Sequence, residues 1–167
     1  IIVKKILSFF TFILLIGCNT VLDRSAKKVD IKCPKVFFSA ENNFYSQDHQ
    51  QNIYLDNYSY NASLNNYAFL DGCFADLQNN NYFIDILILV ESINLNNQTI
   101  NLPIFVLLYD INDQIIDKQY FRIQKDLNFN KIESDFQILE ITDKLSISID
   151  KEKIVNSLAI GFIKINQ

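Results

Sequence analysis

Residues 82–93 read YFIDILILVESI, and this stretch decides the fold class. Every second residue is apolar, which is the period of a β-strand with one buried face. The residues of the apolar face are Tyr82, Ile84, Ile86, Ile88 and Val90, and the opposite face carries Asp85 and Glu91. The stretch predicts the longest strand of a β-rich domain.

A β-hairpin is predicted next along the chain. Leu102–Tyr109 and Ile115–Ile123 are strand-like, and Asp110–Gln114 between them is rich in the Asp and Asn residues that favour turns. Pro103 is expected at the start of its strand, where a missing N–H does least harm. Both faces of the first strand are apolar. Either a central strand covered on both sides or an apolar surface for docking a partner explains this pattern.

The remaining pattern predicts an antiparallel, immunoglobulin-like β-sandwich of about seven to nine short strands, spaced by roughly ten residues. A polar loop is expected at Glu41–Asn52 and a helical turn at Asp150–Asn156. The other strand-like runs are Val36–Ser39, Tyr58–Leu64, Tyr67–Phe74, Leu158–Ile165 and the weaker pair Phe136–Ile141 and Leu145–Ile149.

The N-terminal segment has the three parts of an export signal. Lys4 and Lys5 precede the uncharged run Ile6–Ile16, and Gly17 stands directly before Cys18. A spanning helix needs about 20 mainly apolar residues, so this run is marginal as a membrane span. Leu15-Ile16-Gly17-Cys18 resembles the lipobox of bacterial lipoproteins, whose cysteine receives a diacylglyceryl group and an N-terminal acyl chain. An uncleaved N-terminal anchor is the alternative.

The predicted organisation is a signal helix at residues 1–17, a lipidated flexible tether at 18–32 and a sandwich domain at 33–167. Removing residues 1–17 deletes Lys4 and Lys5 but no acid, which leaves 13 basic and 19 acidic side chains and a net charge of −6. This balance argues against nucleic acid and anionic lipid headgroups as partners. The predicted contact with the membrane is the lipid on Cys18.

The other two cysteines, Cys33 and Cys73, are expected to form a disulfide. Free thiols seldom persist outside the cytoplasm, and these two remain once Cys18 is lipidated. A metal or redox site is the alternative, but the two thiols lack ligand spacing and His49 is the single histidine.

No catalytic constellation is recognisable, so the sequence predicts neither an enzyme nor a cofactor. His49 lies in a predicted loop, and Asp85 and Glu91 would stand about 20 Å apart along one strand. The cluster Asp110, Asn112 and Asp113 offers oxygen ligands for Ca²⁺, but turn formation explains the same residues without a metal.

Four short motifs occur in a recognisable order. They are Cys33-Pro34-Lys35-Val36, Gly72-Cys73, the hairpin from Leu102-Pro103-Ile104-Phe105-Val106 through Asp110 to Lys118, and Gly161-Phe162. With the lipobox, they resemble a family of small alphaproteobacterial envelope lipoproteins of unknown function. That family usually has Gly in the hairpin turn, where this chain has Asp113. The resemblance implies a lipid-anchored β domain with two cysteines and implies no catalytic residue.

The sequence therefore favours a non-enzymatic interaction or scaffold module of the cell envelope with an envelope protein as its partner. Because Asn19 rather than Asp follows Cys18, the periplasmic face of the outer membrane is expected, with the inner membrane as the alternative. A second hypothesis is a binding protein for a glycan or lipid that stacks on Tyr45, Tyr54, Tyr58 and Tyr60. A third is a hydrolase built on Asp and Glu residues.

Overall fold

The structure is a computed structural model that describes residues 28–47, 60–92, 98–127 and 138–164. These residues form ten β-strands and no helix. The strands are β1 (Val29–Asp30), β2 (Lys35–Phe38), β3 (Phe44–Gln47), β4 (Tyr60–Ala68), β5 (Cys73–Ala75), β6 (Asn79–Ser92), β7 (Gln98–Tyr109), β8 (Ile115–Leu127), β9 (Ile138–Asp150) and β10 (Ser157–Phe162).

Six strands form sheet A around β6. β9 pairs with β6 from Asn79 to Glu91 on one side. On the other side, β5 pairs with residues 80–82 of β6 and β4 with residues 85–92, so that β5 and β4 follow each other along the same edge. β1 extends the sheet beyond β5, and β3 extends it beyond β4.

Four strands form sheet B in the order β2-β10-β7-β8. β10 is antiparallel to β7 but parallel to β2. The inner faces of both sheets contribute to one hydrophobic core. The predicted all-β sandwich is thus confirmed, and four of its strands are twelve or more residues long.

The core follows the period of two that the sequence predicted. Ile84, Ile86, Ile88 and Val90 of β6 are fully buried. β7 contributes a second fully buried row, which consists of Ile100, Leu102, Ile104, Val106 and Leu108. The two rows lie on the central strands of opposite sheets, so they form the middle of the sandwich.

Tyr60 ties the two sheets together at one end of the core. Its hydroxyl donates to the carbonyl oxygen of Asn101 at 3.1 Å and accepts from the Asn101 N–H at 3.0 Å. β10 ends opposite Ile104, and no other strand of the described residues lies beside Asn101 on that side. The Tyr60 hydroxyl therefore satisfies both backbone groups where the ladder stops. Burial, as the largest cause, raises the pKa of Tyr60 to about 12.

The variant Tyr60→Phe is expected to lose about 1–2 kcal/mol of stability, because both backbone groups of Asn101 lose their partner. The wild type should also lose stability between pH 10 and 12. Below pH 10 Tyr60 is protonated in both states, so its raised pKa does not affect the free energy of unfolding. Above pH 10 the unfolded chain loses the Tyr60 proton while the folded protein keeps it, so stability falls. Urea unfolding across this range should show a shallower pH slope for Tyr60→Phe. A residual slope is expected, since burial also raises the pKa of Tyr45 and Tyr82.

Several elements differ from the sequence prediction. β3 lies within the stretch predicted as a polar loop, and β1 extends the sheet into the segment predicted as a tether. The two weak strands predicted from 136 to 149 are one strand, β9. A hydrogen-bonded turn at Asp150–Lys153 replaces the predicted helical turn. Pro103 lies inside β7, and its nitrogen faces the end of β10, where the Ile163 N–H donates to the Pro103 carbonyl.

Candidate interaction surface

The outer face of sheet B carries a cluster of aromatic side chains. Residues paired directly across a ladder share one face, and the register places Phe105 beside Tyr120, and Leu107 beside Lys118. β10 lies on the other side of β7, and β2 beyond it. We call this surface the aromatic face, and it consists of Phe37, Phe105, Leu107, Tyr109, Lys118 and Tyr120.

The aromatic rings close over a row of small residues on β10. The outward positions of β10 are Ser157, Ala159 and Gly161, and all three are buried. The rings of Phe37 and Tyr109, from the two strands that flank β10, approach with centroids 6.1 Å apart. Side chains from β2 and β7 thus cover the backbone of β10 and form a continuous apolar layer.

Gly161 is required by this arrangement. A Cβ at position 161 would lie 2.6 Å from Cζ of Phe105 and 2.8 Å from Cβ of Asn42. Asn42 belongs to the turn between β2 and β3. It accepts the Phe162 N–H at its carbonyl oxygen and donates from Nδ2 to the Phe162 carbonyl. The missing side chain of Gly161 therefore allows both the Phe105 ring and this turn to contact β10.

Lys118 places a positive charge on the aromatic face. Its Nζ lies 5.2 Å from the centre of the Tyr120 ring and 5.9 Å from that of Phe105, within range of cation–π attraction. Lys35 and Arg122 share this face, because they pair with Ser157 and Pro103. Tyr120 is 62% exposed and Phe37 is 48% exposed. The apolar pattern on both sides of β7 thus reflects a core face and a half-exposed outer face.

The hairpin turn beside this face follows the turn chemistry that the sequence predicted. Oδ1 of Asp110 accepts the backbone N–H groups of Asn112 and Gln114, both at 2.8 Å. The bond from Gln114 is the main reason that the pKa of Asp110 lies below its ordinary value. Across residues 28–47, 60–92, 98–127 and 138–164, no group of three or more His, Cys, Asp or Glu side chains could hold a metal ion.

Asp113 holds a left-handed backbone conformation in this turn, with φ at 58°. Gly adopts this conformation without a Cβ penalty. Asp113→Gly is therefore expected to be more stable than Asp113→Ala by about 1 kcal/mol, because both variants lose the carboxylate and only Gly relieves the backbone. Urea denaturation of the two variants measures the difference. Equal stability would show that the turn carries no strain at this residue.

The two cysteines of the domain are joined, as the sequence predicted. The sulfurs of Cys33 and Cys73 lie 2.06 Å apart, and the Cα atoms are 5.4 Å apart. Cys33 stands between β1 of sheet A and β2 of sheet B, and Cys73 opens β5 after the turn at Gly72. The bridge therefore fixes the chain where it crosses from one sheet to the other.

Of the other predicted site residues, the structure describes Tyr45, Tyr60, Asp85 and Glu91. Cys18, the signal segment, His49, Tyr54 and Tyr58 lie outside the described residues. Tyr45 and Tyr60 are buried, with ring centroids 6.2 Å apart, so these two side chains offer no stacking surface for a ligand. Asp85 and Glu91 lie on the outer face of sheet A as predicted.

The sequence prediction missed the small row on β10 and the rings that cover it. The signal was present in the alternation of Ser157, Ala159 and Gly161 with large apolar residues. None of the residues that the structure describes belongs to a helix long and apolar enough to cross a bilayer. Comparisons of the chain with protein-family models, with curated proteins and with solved structures find no match in any of the three.

Proposed function

We propose that this protein is a lipid-anchored, non-enzymatic interaction module of the bacterial cell envelope, and that the aromatic face is its docking surface. The aromatic face is the observation that carries the proposal. It combines half-exposed rings with cations at a rigid sheet, and aromatic and Arg side chains are the groups enriched at protein interfaces. A surface of this composition suits a protein partner better than it suits catalysis.

The anchor in this proposal is a lipid on Cys18, and the location is the periplasmic face of the outer membrane. The sequence pattern around Gly17-Cys18 supports it. Ten residues separate Cys18 from the first strand residue Val29. Such a segment spans at most about 35 Å, so the sandwich would stay close to the bilayer that holds the lipid. Two or more acyl chains would make this attachment stable.

One experiment tests the docking surface in living cells. A photoreactive benzoylphenylalanine at position 120 should form protein adducts, whereas the same group at the exposed hairpin residue Asn112 should not. Mass spectrometry of the native N-terminal peptide should show acylated Cys18 as the first residue. Absence of adducts at position 120 contradicts the docking proposal, and an intact unmodified leader contradicts the anchor. Adducts with a glycan or lipid alone would favour the ligand-binding alternative.

A further inference from the structure

The outer face of sheet A is acidic, in contrast to the aromatic face. Its register places five acids on the surface that faces away from the core, and Lys28 and Lys144 are the basic residues there. The acids are Asp30, Asp85, Glu91, Glu140 and Asp150. These seven residues together have a net charge of −3, and Asp71, whose carboxylate contacts Lys144, adds one further negative charge beside them.

The negative charge of Asp85 on this face is not fully neutralised by a basic partner. The Lys144 ammonium contacts the carboxylate of Asp71, and this contact is the main reason that the pKa of Lys144 is raised. Asp85 lies directly across the ladder from Lys144. Its Oδ2 is buried and makes no hydrogen bond among the described residues.

The outer face of sheet A, which we call the acidic face, also carries apolar side chains. Leu87 and Leu89 point outward from β6 and are partly exposed, and the stacked rings of Phe74 and Phe83 have centroids 5.6 Å apart. Sheet B presents the opposite charge on its outer face. Lys35, Lys118 and Arg122 stand there against Asp126, which gives a net charge of +2 among the described residues.

We infer that the partner of the aromatic face is the acidic face of a second copy of this chain. The two outer faces of one molecule are opposite in charge, and both are apolar at their centres. Two copies joined by the same face would instead bring like charges together, which is costly. This inference rests on the proposed function, because it names the partner of the same docking surface.

The size of the face agrees with a weak, specific contact. Four strands about 4.8 Å apart, which have 4, 6, 12 and 13 residues and so about nine on average, present roughly 600 Å² per copy. Two such faces would bury about 1,200 Å², which is the lower limit of specific interfaces. Confinement of lipid-anchored copies to one membrane surface would raise their effective concentration and favour such a contact.

The contact uses different faces on the two partners, so two copies do not complete it. Each copy keeps a free acidic face at one end and a free aromatic face at the other, and further copies can add. The expected assembly is therefore a row of sandwiches rather than a dimer. Because the attraction is partly electrostatic, the row should weaken as salt concentration rises.

Charge reversal on one face or on both tests this arrangement. Sedimentation of the full chain in neutral detergent should give an average mass that keeps rising with protein concentration up to about 0.2 mM, as micromolar affinity requires. Lys118→Glu with Arg122→Glu should weaken association by about tenfold or more, because both faces are then acidic. Glu91→Lys with Glu140→Lys should have the same effect, since both faces are then basic.

The variant with all four reversals should regain most of the association, because the faces are again complementary. Lys151→Glu with Lys153→Glu, in the turn after β9, is the matched control and should associate like the wild type. Three results would overturn the inference. They are a wild type that stays monomeric, an assembly that stops at two copies, and a variant with all four reversals that does not regain association. The wild type could stay monomeric while position 120 still captures another protein in cells. In that case the proposed function stands and the inference about a second copy is wrong. Vesicle binding that depends on Lys118 and Arg122 would instead assign the aromatic face to anionic lipid.

Discussion

Replacing both bridged cysteines, Cys33→Ala together with Cys73→Ala, is expected to lower the free energy of unfolding by about 4 kcal/mol. The bridge spans a sequence separation of 40 residues. Without it, the unfolded chain gains the conformational freedom that loop closure had removed. Folded domains are commonly stable by only 5–15 kcal/mol, so this loss would remove a large part of the margin.

Urea unfolding followed by far-ultraviolet circular dichroism measures this loss. The wild type in reductant should approach the stability of the double variant, and the double variant itself should not respond to reductant. The dependence on urea should also steepen, because an uncrosslinked chain exposes more surface when it unfolds. A difference below about 1 kcal/mol would contradict the loop-closure explanation.

The loss of stability without the disulfide should be greatest at β2. This strand has four residues and pairs with β10. The Lys35 N–H donates to the carbonyl of Asn156, directly before β10, and the Ser39 N–H donates to the carbonyl of Ile160. Cys33 lies two residues before the strand, so the bridge holds its entry. Amide hydrogen exchange at Lys35 and Ser39 should accelerate more in the double variant than exchange at the central strand β6.

The fold was predictable where burial is regular. In β6, β7 and β8 the alternation of apolar and polar residues, or the turn at Asp110–Gln114, identifies the strand without tertiary information. The pairing of Cys33 with Cys73 followed from the cysteine count and the expected compartment. The strands and the turn are predictable because their cause lies in residues adjacent in sequence. The disulfide is predictable because two remaining cysteines can pair in one way only.

Other elements depend on partners that are distant in sequence. β3 has four residues and one buried side chain, Tyr45, so its alternation is too short to recognise. In β9 the inward position 143 is an Asp, which interrupts the apolar row. Oδ1 of Asp143 lies 4.0 Å from Nζ of Lys125 on β8. This ion pair, which the sequence does not reveal, lies where the edges of the two sheets meet.

The aromatic face was only partly predictable. The sequence shows that Phe105, Leu107 and Tyr109 share one side of a strand, and it leaves open whether that side is covered. Phe37 joins the same surface through the parallel pairing of β2 with β10, and Gly161 joins it through the pairing of β10 with β7. No local pattern indicates either pairing. The contrast between a basic and an acidic outer face likewise requires the strand order.

Gly161→Ala is expected to destabilise the protein by about 3 kcal/mol, near the upper end of the cost of overpacking. The new Cβ would meet the Phe105 ring, which can rotate, and Cβ of Asn42, which is fixed by its turn. The matched control is Gly72→Ala, where the added Cβ meets no atom within 4 Å and only the positive φ of 71° opposes it. That variant should lose about 1 kcal/mol.

A double-mutant cycle separates the two contacts of Gly161. Phe105→Leu shortens the opposing side chain, so Gly161→Ala should cost less in that background than in the wild type. Recovery should be partial, because Asn42 still lies 2.8 Å from the new Cβ. If the stability cost of Gly161→Ala is unchanged by Phe105→Leu, the Phe105 ring does not lie on Gly161. Phe105 would then not occupy the centre of the aromatic face. If recovery is complete, the turn at Asn42 is free to move, and its hydrogen bonds to Phe162 do not fix it.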